Sequence, residues 1–411
     1  MTPRNGAERR RGPGVRWGMD GVAAPIDVEL IPPQLRDGDR CEALARRFGT
    51  PLFVYDEDDL RRRCRVYARN FGPGNVAYAG KAFLCTAMAR LVAEEGLRLD
   101  VATGGELHVA LHGGFPPDRL IVHGNNKSDA ELESALSVGA GRIVADSFDE
   151  LDRLERLAAG RAEPPAVLIR VTPGVEAHTH EYIETGTEIS KFGFSAATGA
   201  ARDAAVRVAR SPALRFGGLH CHIGSQVFRL DSYARAVVVV GRVVAEIGAA
   251  TGTPVEELNL GGGLGARYLL EDPDIAVADY AKTLRAALEE ACAANGLDPA
   301  PRLTVEPGRS IVAPAAMTLY RVGTVKEIPG VATYVAVDGG MSDNPRPVLY
   351  GAGYEAYLPA RLTEPRSLVV DVAGKHCEQG DVIVAGAHLP EGVRVGDLLA
   401  TPTTGAYGYS M

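Results

Sequence analysis

The sequence predicts an α/β fold: a closed (β/α)₈ barrel of the TIM type, plus a C-terminal antiparallel β-domain that also takes in the N-terminal segment. Three observations carry this. Eight short apolar, β-rich runs alternate with amphipathic helical stretches between about residues 50 and 310. After residue 310 the long helical patterns stop, and short strands separated by turn residues take over. Near the N-terminus, IDVELIPPQL reads as one further strand.

The eight runs are NVAYAGK (75–81), LRLDVAT (97–103), RLIVHGNN (119–126), RIVADSF (142–148), AVLIRVTPG (166–174), RFGGLHCHIGS (215–225), VEELNLGGG (255–263) and PRLTVEPGR (301–309). Near-continuous apolar runs mark strands covered on both faces, as in a parallel sheet. Stretches such as TAMARLVAEEG and DSYARAVVVVGRVVAEIGAA supply the helical cover. Eight such units close a barrel of ordinary size; a doubly wound open sheet is the alternative. Two longer loops interrupt the repeat, VEAHTHEYIETGTEISKFGFS after the fifth run and one containing GARYLLEDPD after the seventh. Loops this long in a compact barrel tend to be functional. Beyond residue 310, MTLYRVGTVKEIPG, VATYVAVDGGMSD, RSLVVDVAG, GDVIVAG and GDLLATPTTGAYG alternate with turns and read as the β-domain. The expected division is a flexible tail over 1–20, an N-terminal segment of the β-domain over 21–48, the barrel over 49–309 and the β-domain over 310–411.

Bulk composition narrows the function classes. The 411 residues are 46% hydrophobic and 23% charged, with a net charge of −8. That balance disfavours nucleic acid and a polybasic membrane patch as partners. No apolar run reaches the roughly 20 residues that span a bilayer. The basic opening MTPRNGAERRRGPGVRWG lacks the apolar stretch of a signal peptide, so a cytoplasmic protein is expected. The six cysteines form no C-x-x-C pair and read as reduced thiols.

In a (β/α)₈ barrel, chemistry sits at the C-terminal ends of the strands. Those ends carry Lys81, Thr103–Glu106, His123–Asn126, Asp146, Arg170, His220–Ser225, Gly261–Gly263 and Glu306–Arg309. The backbone N–H groups of Gly261, Gly262 and Gly263 can converge on an anion, with Gly224, Ser225, Gly308 and Arg309 adding donors; tight turns alone are the other reading. Glu306 suits a general base, a metal ligand or a partner for a ring nitrogen, and could equally pair with Arg309 or Arg170. His220 and His222 alternate, so one of them should face the barrel mouth. No spacing completes a three-ligand metal site around them or around His178 and His180, and no metal is expected. A lysine desolvated at the rim has a lowered pKa and can form a Schiff base; alternatively, Lys81 only pairs with an acid. Lysine, phosphate nest and carboxylate together match pyridoxal 5'-phosphate: aldehyde, phosphate and pyridine nitrogen.

At this point the motifs acquire a family. YAGKAF, DVATGGEL, HGNNKS, RVTPGVEAHTHEYIETG, KFGF, GLHCHIGSQ, LGGGLG, VEPGRSIV, DGGMSDNPRPVLYGA, GKHCEQGD and TGAYGYSM run in order from about residue 50 to the end. In this series the chain resembles the diaminopimelate decarboxylases, pyridoxal-phosphate enzymes on the alanine-racemase-type barrel. PRPVLYGA and HCEQGD resemble that branch more than the ornithine or arginine decarboxylases.

The resemblance implies a carboxy-lyase that converts meso-2,6-diaminopimelate to L-lysine and CO₂, the last step of lysine biosynthesis. It implies that Lys81 holds the cofactor, His222 stacks on its ring and Glu306 meets its pyridine nitrogen. Ser225, Gly261–Gly263, Gly308 and Arg309 would bind the phosphate. Arg309, Arg346 and Tyr350 would grip the substrate carboxylates and Glu378 its distal ammonium. Cys377 would return a proton after CO₂ leaves, and Tyr407 would touch cofactor and substrate. Cys377 and Glu378 would act across a homodimer interface. Two arginines and an acid complement a substrate with two carboxylates and a distal amine. Chains of the family run on past GYSM with a Ser-Asn-Tyr-Asn-like stretch and a further strand, so a β-domain shortened at Met411 is expected. The competing functions are an ornithine or arginine decarboxylase, a catalytically impaired cofactor-binding relative, and a metal-dependent hydrolase using His220 or His222.

Overall fold

The computed structural model describes residues 26–72, 74–175, 186 and 190–411. The tail 1–20 and the pair His178 and His180 lie outside the described residues. Among the described residues, fifteen strands carry the architecture: β1 Leu52–Tyr55, β2 Ala77–Ala79, β3 Arg98–Val101, β4 Leu120–Val122, β5 Arg142–Ala145, β6 Ala166–Thr172, β7 Phe194–Ser195, β8 Arg215–Cys221, β9 Glu257–Asn259, β10 Arg302–Thr304, β11 Ala316–Ile328, β12 Ala332–Val337, β13 Leu368–Ala373, β14 Val382–Leu389 and β15 Leu398–Pro402.

The eight runs form one parallel sheet in the order β10-β9-β8-β6-β5-β4-β3-β2, with the short β7 added beside β6. A parallel bridge between Val76 and Val305 closes it. Ala77 N–H donates to Val305 O (2.9 Å) and Ala79 N–H to Pro307 O (3.0 Å) across the seam. Alternation along the strands sorts the side chains. Tyr78, Leu99, Val101, Ile143 and Val167 point outward into the main core beneath the helices. Ala77, Ile121, Val144 and Leu168 point inward and form a small separate cluster inside the barrel.

The second sheet runs β1-β11-β12-β13-β14, with β15 also pairing β11. β1, within the stretch expected to open the barrel, pairs antiparallel with β11 instead. The expected antiparallel character holds except where β12 meets β13, which are parallel. Parallel neighbours need a crossover, and residues 338–367 provide it, carrying the helix Arg346–Tyr350.

IDVELIPPQL is not a strand. It forms two 3₁₀ turns, Val28–Leu30 and Pro33–Leu35. The Asp27 side chain accepts from Glu29 N–H (3.0 Å), a local bond that competes with strand pairing, and Pro32-Pro33 lacks the donors a ladder requires. The segment nevertheless buries Ile26, Ile31 and Leu35 against Met317, Leu319, Leu398 and Ala400 of β11 and β15.

Candidate active site

Lys81 lies on a 3₁₀ turn, Gly80–Ala82, directly after β2. A Cβ at position 80 would come within 2.7 Å of Asp100 O, so glycine lets the turn approach β3. Lys81 Nζ pairs with Asp100 Oδ2 at 3.1 Å; the Asp100 side chain is fully buried. Lys81 thus has an acid partner, and its pKa is raised where the sequence led us to expect it lowered. Burial pushes its ammonium down, but Asp100, Tyr407 and Glu306 outweigh this and raise it.

Glu306 stands two residues beyond β10 and is buried. Its Oε1 accepts from His123 Nε2 (2.9 Å) and Asn259 Nδ2 (2.8 Å), and its Oε2 from His220 Nε2 (3.0 Å). It does not take the ion pair with Arg309 or Arg170 considered from sequence. Arg170 faces Asp146 at 3.7 Å, and Arg309 turns elsewhere. Burial pushes the Glu306 carboxyl up, but His123 and His220 outweigh it and hold the group well below the carboxylate range. Burial pushes His220 down to about 4, so it is neutral at pH 7 and donates through Nε2–H.

His220 and His222 both belong to this site, against the expectation that one would face away. β8 ends at Cys221, so strand alternation no longer governs His222. Its ring lies beside the glycine turn: a Cβ at Gly261 would come within 2.9 Å of its Nδ1. Burial, with Lys81 adding its charge, holds the His222 imidazole well below its usual pKa.

These groups carry a pH dependence. His220 titrates lower folded than unfolded, so the unfolded chain binds its proton first. Stability is complete above about pH 6.5 and declines as pH falls towards about 4. The loss from this group is on the order of 3 kcal/mol, and Glu306 adds to it in more acidic solution. Urea midpoints are expected to hold level from pH 7.5 to about 6.5 and to fall from there to pH 5, and the part of that fall due to the imidazole to vanish in His220→Asn.

The sequence spacing hid a three-ligand set. Ligand atoms of His123, His220 and Glu306 lie within 4.8 Å of one another. As arranged, both imidazoles already hydrogen-bond the carboxylate directly, which is the geometry of a carboxylate held ionised by donors.

Gly261 and Gly263 have φ of 63° and 106°, in the left-handed region. A Cβ on Gly262 would sit 2.2 Å from Glu306 O, and one on Gly263 2.4 Å from Gly224 O. The turn is thus pressed between the ends of β8 and β10, and Asn259 Oδ1 fixes it by accepting from Gly261 N–H (2.9 Å). Beside it, Arg309 donates through Nε and Nη2 to Ser225 Oγ (3.2 and 3.0 Å) and through Nη1 to Tyr268 OH (2.8 Å). Its guanidinium also lies over the Tyr407 ring at 4.7 Å. Tyr407 has a φ of 59°, and its N–H donates to Ala82 O (2.9 Å), so the end of the chain is tied to the lysine turn. Glycine turn, hydroxyl and guanidinium form a cradle of the chemistry a phosphate requires. Lys81 and Glu306 follow adjacent strands, β2 and β10, whose ends are joined by Ala79 N–H donating to Pro307 O (3.0 Å).

Arg346 joins through aromatic rings. Its guanidinium lies 4.3 Å over Tyr268, which also bonds Arg309, and it donates to the hydroxyl of Tyr354. Burial raises the Tyr268 phenol, but Arg309 and Arg346 outweigh it and lower it below its usual value. Tyr350 ends the same helix and is half-buried. Cys377 and Glu378 are exposed on the loop between β13 and β14. That loop is tied to the crossover by the buried Asp381, which accepts from Met341 N–H (2.7 Å), His376 N–H (2.9 Å) and His376 Nδ1 (2.7 Å). Asp100, Asn259, Tyr268, Tyr354 and Asp381 were not singled out from sequence. Asp100 and Asn259 had a signal, because each occupies an inward position on a strand near its mouth end.

Comparisons with known proteins agree with this geometry. Residues 57–313 match the family model of the pyridoxal-dependent decarboxylase, pyridoxal binding domain. The chain is 50% identical over 377 residues to diaminopimelate decarboxylase of Mycobacterium tuberculosis, covering 90% of this chain and 84% of that protein. Against the Bacillus subtilis enzyme identity is 46% over 372 residues, covering 90% and 84%. Among solved structures, diaminopimelate decarboxylase from Helicobacter pylori complexed with L-lysine superimposes with a TM-score of 0.81 at 31% identity, covering 90% of each chain. The M. jannaschii enzyme in co-complex with L-lysine gives 0.83 at 33% identity, covering 90% and 86%. The chain belongs to the pyridoxal-dependent decarboxylase family, on its diaminopimelate decarboxylase branch.

Proposed function

We propose that the protein decarboxylates meso-2,6-diaminopimelate to L-lysine and CO₂ with pyridoxal 5'-phosphate, as the last step of lysine biosynthesis. The observation that carries this reading is the meeting of Lys81, Glu306, the Gly261–Gly263 cradle and the linked arginines 309 and 346 at one barrel mouth. Lys81 would take the cofactor aldehyde, Glu306 its pyridine nitrogen and His222 its ring face. Ser225, Gly261–Gly263, Gly308 and Arg309 would hold the phosphate. When bound, the pyridine ring supplies a sink for the electron pair left as CO₂ departs.

The chain's own groups do the rest. Lys81 must shed a proton before it can attack an aldehyde, and Asp100 governs where that proton resides. Arg309, Arg346 and Tyr350 orient the carboxylates, Tyr407 borders cofactor and substrate, and Glu378 faces the distal ammonium. The Cys377 thiol gives its proton to the carbon that lost CO₂. Exposure of Cys377 and Glu378 supports their use in a second subunit's site, and hence a homodimer. For the domains, we place the barrel over 56–309 and the second domain over 310–411 with 26–55, on the pairing of β1 with β11 and the packing of Ile26–Leu35 against β11 and β15. No helix among the described residues is long and apolar enough to cross a membrane, and the reading places the enzyme in the cytoplasm.

Purified protein with pyridoxal phosphate and meso-diaminopimelate is expected to release CO₂ and lysine in equal amounts. Turnover of L-ornithine or L-arginine alone would reassign the substrate. The His123–His220–Glu306 set favours one competing reading, a metal hydrolase; stoichiometric zinc with no Lys81-dependent visible band would support it. The Asp381 tether gives a further expectation: Asp381→Asn loosens the loop bearing Cys377. kcat should fall roughly tenfold or more, as one hydrogen-bonded constraint is lost, while the visible cofactor spectrum stays unchanged.

A further inference from the structure

The end of the barrel away from the candidate active site holds a second cluster of charge. Arg98, Arg142, Glu257 and Arg302 are the first residues of β3, β5, β9 and β10. All four occupy inward positions, because Leu99, Ile143 and Leu258 beside them face the outer core. β5 and β9 are not neighbours in the sheet, so Arg142 reaches Glu257 across the barrel axis. A single carboxylate oxygen, Glu257 Oε2, faces Arg142 Nη2 at 3.2 Å and Arg98 Nη1 at 3.8 Å, and also receives Arg302 Nη2. Oε1 accepts from Thr304 Oγ1 at 3.1 Å.

Three guanidiniums share one carboxylate, a surplus of two positive charges around a group that is 0% exposed. The donors are not used up. Arg142 Nε is buried with no hydrogen-bond partner, and Arg98 stands beyond hydrogen-bond distance from Glu257. Burial holds Arg98 below its usual pKa, and the like charges of Arg142, Arg302 and Arg119 add to this against the opposing pull of Glu257. The nearby Arg119 is already engaged, donating to Leu97 O and Ala93 O (3.1 Å each) at a helix end. Access exists from solvent, since the Arg302 side chain is 44% exposed. The inward Ala77, Ile121, Val144 and Leu168 lie between this floor and the mouth: each precedes a mouth residue on its own strand.

We propose that this floor binds a small tetrahedral oxyanion, with inorganic phosphate as the model ligand, between Arg98, Arg142 and Arg302. Planar guanidinium forks match such an anion bidentately, and the anion neutralises the charge that Glu257 leaves uncompensated. The site is independent of the catalytic reading.

The test uses the cofactor-loaded protein, so the mouth's own cradle is filled. Phosphate is titrated calorimetrically, and thermal midpoints are compared in phosphate and chloride at equal ionic strength. Phosphate is expected to bind and to raise the midpoint above chloride. Arg142→Met, which leaves Glu257 paired with Arg98 and Arg302, should weaken phosphate roughly tenfold, the effect of losing one charge-assisted contact, with decarboxylase turnover unchanged. Arg302→Gln, at the more exposed position, repeats the measurement should Arg142→Met fail to fold. A glycerol 3-phosphate arm separates free from esterified phosphate. Equal midpoints in phosphate and chloride, or binding that survives both variants, overturns the proposal.

Discussion

Lys81→Ala is expected to remove the visible cofactor band and to lower kcat/KM for decarboxylation by roughly 10³-fold or more, since the proposed mechanism makes this residue the cofactor's attachment point. The structure adds a stability effect. Asp100 is fully buried and loses the ammonium 3.1 Å away. An orphaned buried charge costs several kcal/mol; because the Lys81 side chain is 39% exposed, we discount this to about 2 kcal/mol. Asp100→Asn in the Lys81→Ala background should restore the lost stability but not activity, and a small primary amine should restore part of the activity but not the stability. A Lys81→Ala protein that keeps the band would remove the lysine from its proposed role.

Glu306→Gln is expected to be the next most damaging change. Three donors converge on this carboxylate, from His123, His220 and Asn259. A glutamine presents one oxygen and an NH₂ group, so one side must face a donor with a donor. An unsatisfied buried contact of this kind costs about 1–3 kcal/mol. The larger loss is chemical. In the proposed role, a pyridine nitrogen facing the glutamine would no longer be kept protonated, and the ring would accept electrons less readily. kcat should fall on the order of 10²–10³-fold, the range found when a preorganised electrostatic group is deleted, with the absorbance band retained but shifted. Glu306→Asp, which keeps the charge and loses reach, should fall between the two. Wild-type kcat in Glu306→Gln would show that the carboxylate only braces the histidines.

The barrel was legible because its strands are short apolar runs closed by polar or glycine-rich ends. That pattern needs no knowledge of contacts, and Lys81, Glu306, His222 and Gly261–Gly263 all stood at such ends. The N-terminal segment was misread because hydrophobic alternation in IDVELIPPQL outweighed the Asp27 turn and the two prolines. The sign of the Lys81 pKa was missed for a different reason. It depends on Asp100, nineteen positions away on the next strand, and strand adjacency is a tertiary fact. The same holds for the tyrosines that join Arg309 to Arg346, since Tyr268 lies in a long loop and Tyr354 in the crossover. Conversely, the alternation rule applied to His220 and His222 was sound but assumed that the strand continued past Cys221.

The inward cluster of Ala77, Ile121, Val144 and Leu168 has a consequence for traffic. A packed barrel interior is not a pore, so this molecule is a cul-de-sac. Among the described residues, substrate, water, departing CO₂ and product have no route along the barrel axis and pass by way of the mouth. Whatever narrows the mouth therefore sets entry and exit together, since the described residues offer no passage along the axis to relieve one without the other.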